Sequence, residues 1–271
     1  MFSSSNSIKW GRLVPQVVYY FSAYCDMVKT GEIAYGEQIR VVVPTGTFGD
    51  ILAGYIAKQM GLPIEKLVCA SNKNNVLTDF IQTGTYDKNR AFHTTMSPSM
   101  DILVSSNLER LLFMLMDGDD QKTADCMAAL QKEGRYTIDA ATLTKLQADF
   151  IGGYTDEAQT VDTIADCYAK YGYTVDPHTA VAMNVYEQYK NDVKTVILST
   201  ASPYKFPKSV TAGIAPDKVC DNEWELFAVV NEKSGFEIPA SLKGLKERPV
   251  RFNSKCEAPE MIDEVYDFLK I

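Results

Sequence analysis

The segment with the clearest chemical potential is Gly46-Thr-Phe-Gly49, which follows the β-branched run Ile39-Arg-Val-Val-Val43 and precedes an apolar helical pattern from Ile51 to Met60. A strand that runs through a glycine turn into a helix gathers backbone N–H groups and a helix N-terminus at the strand's carboxyl end. Such a place suits an anion. Gly46 and Gly49 allow close backbone approach, and Thr47 adds a hydroxyl donor. The loop is neither GxxxxGK[ST] nor GxGxxG, so the anion it suits belongs to some ligand other than those two motifs serve. An ordinary βα turn, whose glycines serve geometry alone, is the competing reading.

Other reactive side chains are sparser. His178 lies between Pro177 and Thr179, where one backbone hydrogen bond at a helix cap competes with proton transfer as its role. Arg12 and Arg110 suit a phosphate or carboxylate, or surface pairing on their amphipathic helices. Lys9, Lys73 and Lys205 read as solvated lysines, and Ser97 and Ser99 flank Pro98 as turn caps.

The elements that must position these residues alternate in type. Leu13, Val14, Val17, Val18 and Phe21 recur at helical spacing, and Lys66 to Ala70 supplies a second strand after the punctuation at Gly61-Leu-Pro. Phe80 to Gly84 reads as helical, and the turn at Ser97 to Asp101 caps a helix over Leu103–Leu112. Lys194 to Ser199 reads as another buried strand, Pro249 to Phe252 as a short one, and Ala258 to Leu269 as a terminal helix with Pro259 in its first turn. These predict an α/β fold with a doubly wound, mostly parallel sheet. Polar texture from Asp117 to Tyr171, with Asp139 and Asp156 at cap positions, predicts a helical insertion. The expected organisation is 1–116 and 172–271 as parts of a large domain, with 117–171 as a subdomain.

Composition excludes several classes. With 27 basic against 35 acidic residues and a net charge of -8, the chain has no basic run to track a phosphate backbone, so nucleic acid is not an expected partner. Cysteines at 25, 69, 126, 167, 220 and 256 form no CxxC pair, and His93 and His178 lie far apart, so no metal site is expected. The thiols read as reduced and mostly buried in a cytoplasmic protein. Lys9 and Arg12 before Leu13–Cys25 superficially resemble a signal peptide, but Pro15, Gln16 and the tyrosines interrupt it, and no stretch has the apolar length to span a bilayer.

Several motifs share an order. Val43-Pro-Thr-Gly-Thr-Phe-Gly-Asp-Ile-Leu-Ala-Gly-Tyr55 resembles the phosphate-binding loop of threonine synthases, and Asn6-Ser-Ile-Lys-Trp-Gly-Arg12 resembles their N-S-I-N-W-x-R element. Ala70-Ser-Asn-Lys-Asn-Asn-Val76, Ser97-Pro-Ser-Met-Asp-Ile102 with Ser105-Ser-Asn-Leu-Glu-Arg110, Asp176-Pro-His-Thr-Ala180 and Ser199-Thr-Ala-Ser-Pro-Tyr-Lys-Phe206 are similar to further family segments in the same order. The resemblance implies a fold type II enzyme dependent on pyridoxal 5'-phosphate. It implies that Gly46, Thr47, Phe48, Gly49 and Asp50 cradle the cofactor phosphate, that Thr200 meets the pyridine nitrogen, and that Asn6 and Ser7 lie beside the substrate or cofactor ring. The implied reaction takes O-phosphohomoserine and water to threonine and phosphate.

Departures from the family pattern set limits on that expectation. Thr47 replaces the usual Asn and Lys9 another Asn, and no counterpart of the lysine that holds the cofactor as a Schiff base, in an S-x-K-D type motif upstream of the loop, is found. The expectation is therefore the C-terminal portion of a threonine synthase, inactive alone for want of that lysine and of a preceding N-terminal segment. Two further readings stand beside it: a non-catalytic threonine-synthase-like protein binding pyridoxal phosphate or a phosphorylated ligand, and one half of a split enzyme assembled with a separate N-terminal chain.

Overall fold

The computed structural model describes residues 8–251 and 253–271, in two compact units that divide after Phe236. The first contains α1 (Trp10–Leu13), α2 (Val17–Lys29), β1 (Ile39–Pro44), α3 (Gly49–Gln59), β2 (Ile64–Ser71), α4 (Val76–Thr83) and β3 (Thr85–Asp87). It continues through α5 (Leu108–Leu115), α6 (Asp120–Glu133), β4 (Arg135–Thr137), α7 (Ala140–Asp149), β5 (Phe150–Tyr154), α8 (Glu157–Tyr171), α9 (Pro177–Tyr189), β6 (Thr195–Ile197), α10 (Pro207–Ile214) and α11 (Glu223–Ser234). The second unit holds α12 (Met261–Leu269), preceded by a 3₁₀ turn at Ala258–Glu260.

Four strands form a parallel sheet in the order β5-β2-β1-β6, with Val41 opposite Leu67 on one side and Val196 on the other. Successive side chains of a strand point to opposite faces, and both faces here are buried. Val41, Val43, Leu67 and Cys69 enter a core with Leu13, Val17, Tyr20, Ile51 and Leu52, whereas Val42, Val68 and Ala70 pack with Val181, Ala182 and Val185 of α9. Helices on both faces make the sheet doubly wound, as the continuous β-branched run predicts.

The sequence reading needs four corrections. β6 is an edge strand of three half-buried residues rather than a buried strand, because it pairs with β1 alone. The polar 117–171 stretch is not helical throughout: β5 lies in it and joins the main sheet beside β2, its Gly152 and Gly153 hiding the strand signal. Those glycines are required, since a Cβ at Gly152 would fall 2.9 Å from the Thr78 Cα. Helix formation begins at Leu108 instead of Leu103, because the Tyr86 hydroxyl donates to the Leu103 carbonyl (3.0 Å) and accepts from the Ser105 N–H (2.9 Å), holding that stretch open. Pro249 to Arg251 form no strand, and Phe252 lies outside the described residues.

The caps fare as expected. Asp139 accepts from the Thr142 N–H, and Asp156 forms a reciprocal capping box with Gln159. Cys69 and Cys167 are buried, but Cys25 and Cys256 are exposed, so the thiols are less buried than composition suggests. Among the described residues no helix is long and apolar enough to cross a membrane, and no cluster of His, Cys, Asp and Glu has the grouping to hold a metal.

Candidate functional site

β1 leads through α3 to β2 on one side and on to β5 at the edge, and the chain then crosses back to place β6 on the other side of β1, so the strand order reverses between β1 and β6. A parallel α/β sheet opens a crevice at the carboxyl ends of its strands where this happens. A cavity of about 840 Å³ lies there, lined by residues 44–51 after β1 and 198–201 after β6. Arg12, Ser99, Met100, His178 and Lys205 complete much of its wall.

The loop after β1 is tied down from one side. The Ser105 hydroxyl donates to the Gly46 carbonyl at 2.7 Å, and the Asn107 backbone N–H and side-chain amide both donate to the Thr47 carbonyl, at 3.0 and 2.9 Å. In a trans peptide the carbonyl and the following N–H point in opposite directions. Pinning the carbonyls of Gly46 and Thr47 therefore turns the N–H groups of Thr47 and Phe48 away from Ser105 and Asn107, neither of which lines the cavity. Gly46 is obligatory: a Cβ there would meet the Ser99 carbonyl oxygen at 2.4 Å.

Phe48 caps α3 with φ of 63°, a left-handed conformation that costs roughly 1 kcal/mol or more in a non-glycine residue. Its ring is fully buried and packs 5.8 Å from that of Phe150, which holds the backbone in place. No side chain caps α3, so its first amides keep their capacity for an external acceptor at the positive end of the helix dipole. Asp50 lies in this first turn. Burial pushes its carboxyl up to about 6, against the lowering effect of the Tyr20 hydroxyl, which donates to Asp50 Oδ1 at 3.1 Å and to its carbonyl at 2.8 Å.

His178 and Ser99, which both line the cavity, belong to a polar network. Asp176, fully buried, caps α9 and accepts from the His178 N–H and from His178 Nδ1, each at 2.9 Å, and from the Thr179 hydroxyl. His178 Nε2 faces the Ser99 N–H at 3.1 Å. The loop carrying Ser99 is braced further by Asp101, whose carboxylate accepts from Asn72 Nδ2 (2.8 Å), Asn74 Nδ2 (3.0 Å) and Thr95 Oγ1 (2.7 Å).

Gly46, Thr47, Phe48, Gly49, Asp50 and Thr200 thus border one cavity although the loop and Thr200 lie far apart in the chain. Asn6 and Ser7 lie outside the described residues. Arg12 also borders the cavity; Arg110 does not, and bonds instead to Asn107 Oδ1 and the Ile8 carbonyl. Lys9 and Lys73 are exposed elsewhere, whereas Lys205 lines the wall with its Nζ 5.3 Å from the Phe206 ring centroid. The Tyr20–Asp50 pair and the Asp176 node are what the sequence reading missed. Their one local signal is Asp-Pro at 176–177, an N-cap followed by proline at the first helical position.

The threonine synthase C-terminal family model matches residues 179–265. The chain is 46% identical over 212 residues to human threonine synthase-like 1, covering 78% of this chain and 28% of that protein. It is 39% identical over 216 residues to threonine synthase of Corynebacterium glutamicum, covering 77% and 44% respectively. The crystal structure of pyridoxal-phosphate-bound threonine synthase from Brucella melitensis superposes with a TM-score of 0.81 and 37% identity, over 96% of this chain and 51% of that one.

The fold is that of the fold type II pyridoxal-phosphate enzymes. Within that class the chain is similar to the threonine synthases, and its residues 179–265 match their C-terminal family model; it spans about half the length of the Brucella enzyme and 28% of the human relative.

Proposed function

We propose that this chain supplies the cofactor-phosphate and ring-nitrogen side of a threonine synthase site, for conversion of O-phosphohomoserine and water to threonine and phosphate. The observation that carries this reading is the single cavity bordered by the pinned 46–50 loop, the uncapped α3 N-terminus and Thr200. The residues fit pyridoxal 5'-phosphate: a backbone cradle closed to any Cβ at Gly46, a hydroxyl at Thr47, and a second hydroxyl at Thr200 on the wall of the same cavity for a pyridine nitrogen. Once bound, the cofactor provides an electron sink for carbanion chemistry.

In this assignment the amides after Gly46 hold the phosphate and Thr200 orients the ring as a neutral hydrogen-bond donor. Arg12 and Lys205 place cations on the wall for the substrate's own phosphate or carboxylate. No catalytic lysine is assigned to this chain, and the further lysine chemistry is expected from an N-terminal threonine synthase segment, in the same or another polypeptide. The six free thiols suit a reducing compartment, and the cytoplasm is the proposed location.

The test is titration of the purified 271-residue chain with pyridoxal phosphate, followed by borohydride reduction, peptide mapping and phosphate release from O-phosphohomoserine. Saturable binding with no lysine adduct and no turnover, with turnover restored by a threonine synthase N-terminal segment, supports the proposal. A lysine adduct with turnover by the chain alone refutes the assignment of the lysine elsewhere. Saturable binding that stays silent after complementation identifies a non-catalytic binding protein instead.

A further inference from the structure

Asp176 and His178 are among the most buried polar residues of the chain, at 0% and 2% exposure, yet the phosphate cradle and Thr200 account for the proposed site without them. An ionised carboxylate only accepts hydrogen bonds. His178 Nδ1, 2.9 Å from Asp176 Oδ1, must therefore carry the proton. The Ser99 N–H only donates, so Nε2, 3.1 Å away, must present its lone pair. The two contacts together specify a neutral imidazole in the Nδ1–H form, because a proton on Nε2 would face the Ser99 N–H. The Phe206 ring, 4.7 Å from the imidazole centroid, leaves the ring little freedom to turn.

Thr179 extends the same node. Its hydroxyl donates to Asp176 Oδ2 and lies 3.2 Å from Ser199 Oγ, which accepts as its second partner. The arm through Ser99 thus reaches Gly46, against which the Ser99 carbonyl abuts, and the arm through Ser199 reaches Thr200, its neighbour in the chain.

We infer that Asp176, His178 and Thr179 form a rigid bridge that fixes the spacing between the two ends of the ligand site, with His178 a positioning residue locked as its Nδ1–H tautomer. The role as a spacer for pyridoxal phosphate rests on the function proposed above. The tautomer and the bridge are properties of the chain itself. With both nitrogens engaged, His178 is withdrawn from proton transfer.

Two measurements test this. The first is ¹⁵N NMR of the imidazole in the ligand-free 271-residue chain, which should show Nδ1 protonated and Nε2 bare at neutral pH. An Nε2–H tautomer or a charged ring overturns the inference whether or not the cavity binds pyridoxal phosphate. The second compares His178→Gln, His178→Asn and His178→Ala, using pyridoxal phosphate, pyridoxal and inorganic phosphate as probes. Glutamine can place its amide oxygen near the Nε2 position and accept from Ser99, whereas asparagine reaches only toward Asp176.

Pyridoxal phosphate, which spans both ends, should bind roughly tenfold more weakly to the Ala and Asn variants, and the Gln variant should recover to within about threefold of the parent. Inorganic phosphate and pyridoxal, which each touch one end, should lose less than about threefold. Equal losses for all three probes, or losses that follow melting temperature and ignore the Gln rescue, would mean the histidine merely stabilises the fold. Binding of none of the probes to the parent defeats the proposed function; the NMR result then decides the bridge by itself.

Discussion

Asp50 places an acid in the first turn of the helix whose N-terminus is proposed to hold a phosphate, and its replacement by asparagine yields a signed prediction. Burial raises its carboxyl from the ordinary 3.8 to about 6, while the Tyr20 hydroxyl bond works in the opposite direction. Such a move corresponds to about 3 kcal/mol, as an order of magnitude. The folded state holds the proton more tightly than the unfolded chain, so the stabilisation is complete below about pH 4 and is lost as pH rises through about 6. The substituted amide would keep an oxygen for Tyr20 and lose the charge. In urea titrations, Asp50→Asn should match the parent near pH 4 and exceed it by about 1–3 kcal/mol at pH 8, the lower figure allowing for the helix dipole's preference for an anion. Sulfate, a dianion across this range, should bind the variant on the order of tenfold more tightly above pH 7, since like charges within one helical turn repel strongly at low dielectric. A parent stability flat from pH 4 to 7, with the variant weaker at pH 8, would show that the helix N-terminus already carries the carboxylate at little cost, and would refute the reasoning.

Further outcomes follow from the same loop. Tyr20→Phe removes the donor to Asp50, and ¹³C NMR should find the Asp50 carboxyl titrating at a higher pH than in the parent. Gly46→Ala drives a methyl into the Ser99 carbonyl, for a loss of about 2–4 kcal/mol in urea unfolding together with loss of sulfate binding. Phe48→Ala and Phe48→Gly both delete a buried ring, but glycine tolerates a φ of 63°, so the glycine variant should be the more stable of the two by roughly 0.5–1 kcal/mol despite lacking the methyl.

What the sequence disclosed about this loop and what it hid have different physical origins. The strand run 39–43, the glycine turn and the helical pattern after Asp50 are local signals, each written in consecutive residues, and β1 and α3 form there. The caps at Asp139 and Asp156 are equally local, a side chain closing on an amide three residues later. β5 escaped because Gly152 and Gly153 carry no apolar side chain to register a period; they are small where α4 and α9 come closest to the strand. Tyr86 holding residues 103–105 out of a helix escaped because a hydroxyl 17 residues away competes with the helical bonds, and propensity does not encode such a partner. For the site, the motif residues were legible as segments, but their convergence was not. Nothing in Ser199-Thr-Ala or Gly46-Thr-Phe-Gly says that the two stretches face each other.

That convergence comes from one pairing. Arg40, Val41 and Val42 of β1 sit in register with Thr195, Val196 and Ile197 of β6, both strands run in the same direction, and the Leu198 N–H continues the ladder by donating to the Val42 carbonyl at 3.0 Å. Strands in parallel register end together. The residues that follow, 44–49 on one strand and 198–201 on the other, must therefore emerge side by side, about one strand spacing apart at their roots. β6 makes few other commitments: it is short, half-buried and bonded to β1 alone within the sheet. Its position then depends on the part-buried contact beyond its end, where the exposed Ser199 meets Thr179 and, through it, the buried Asp176. A short edge strand with a charged, fully buried anchor at its carboxyl end lets the sheet set direction while the anchor sets distance. The polar bridge is therefore placed at the one part of the cavity where strand pairing alone leaves the geometry loose.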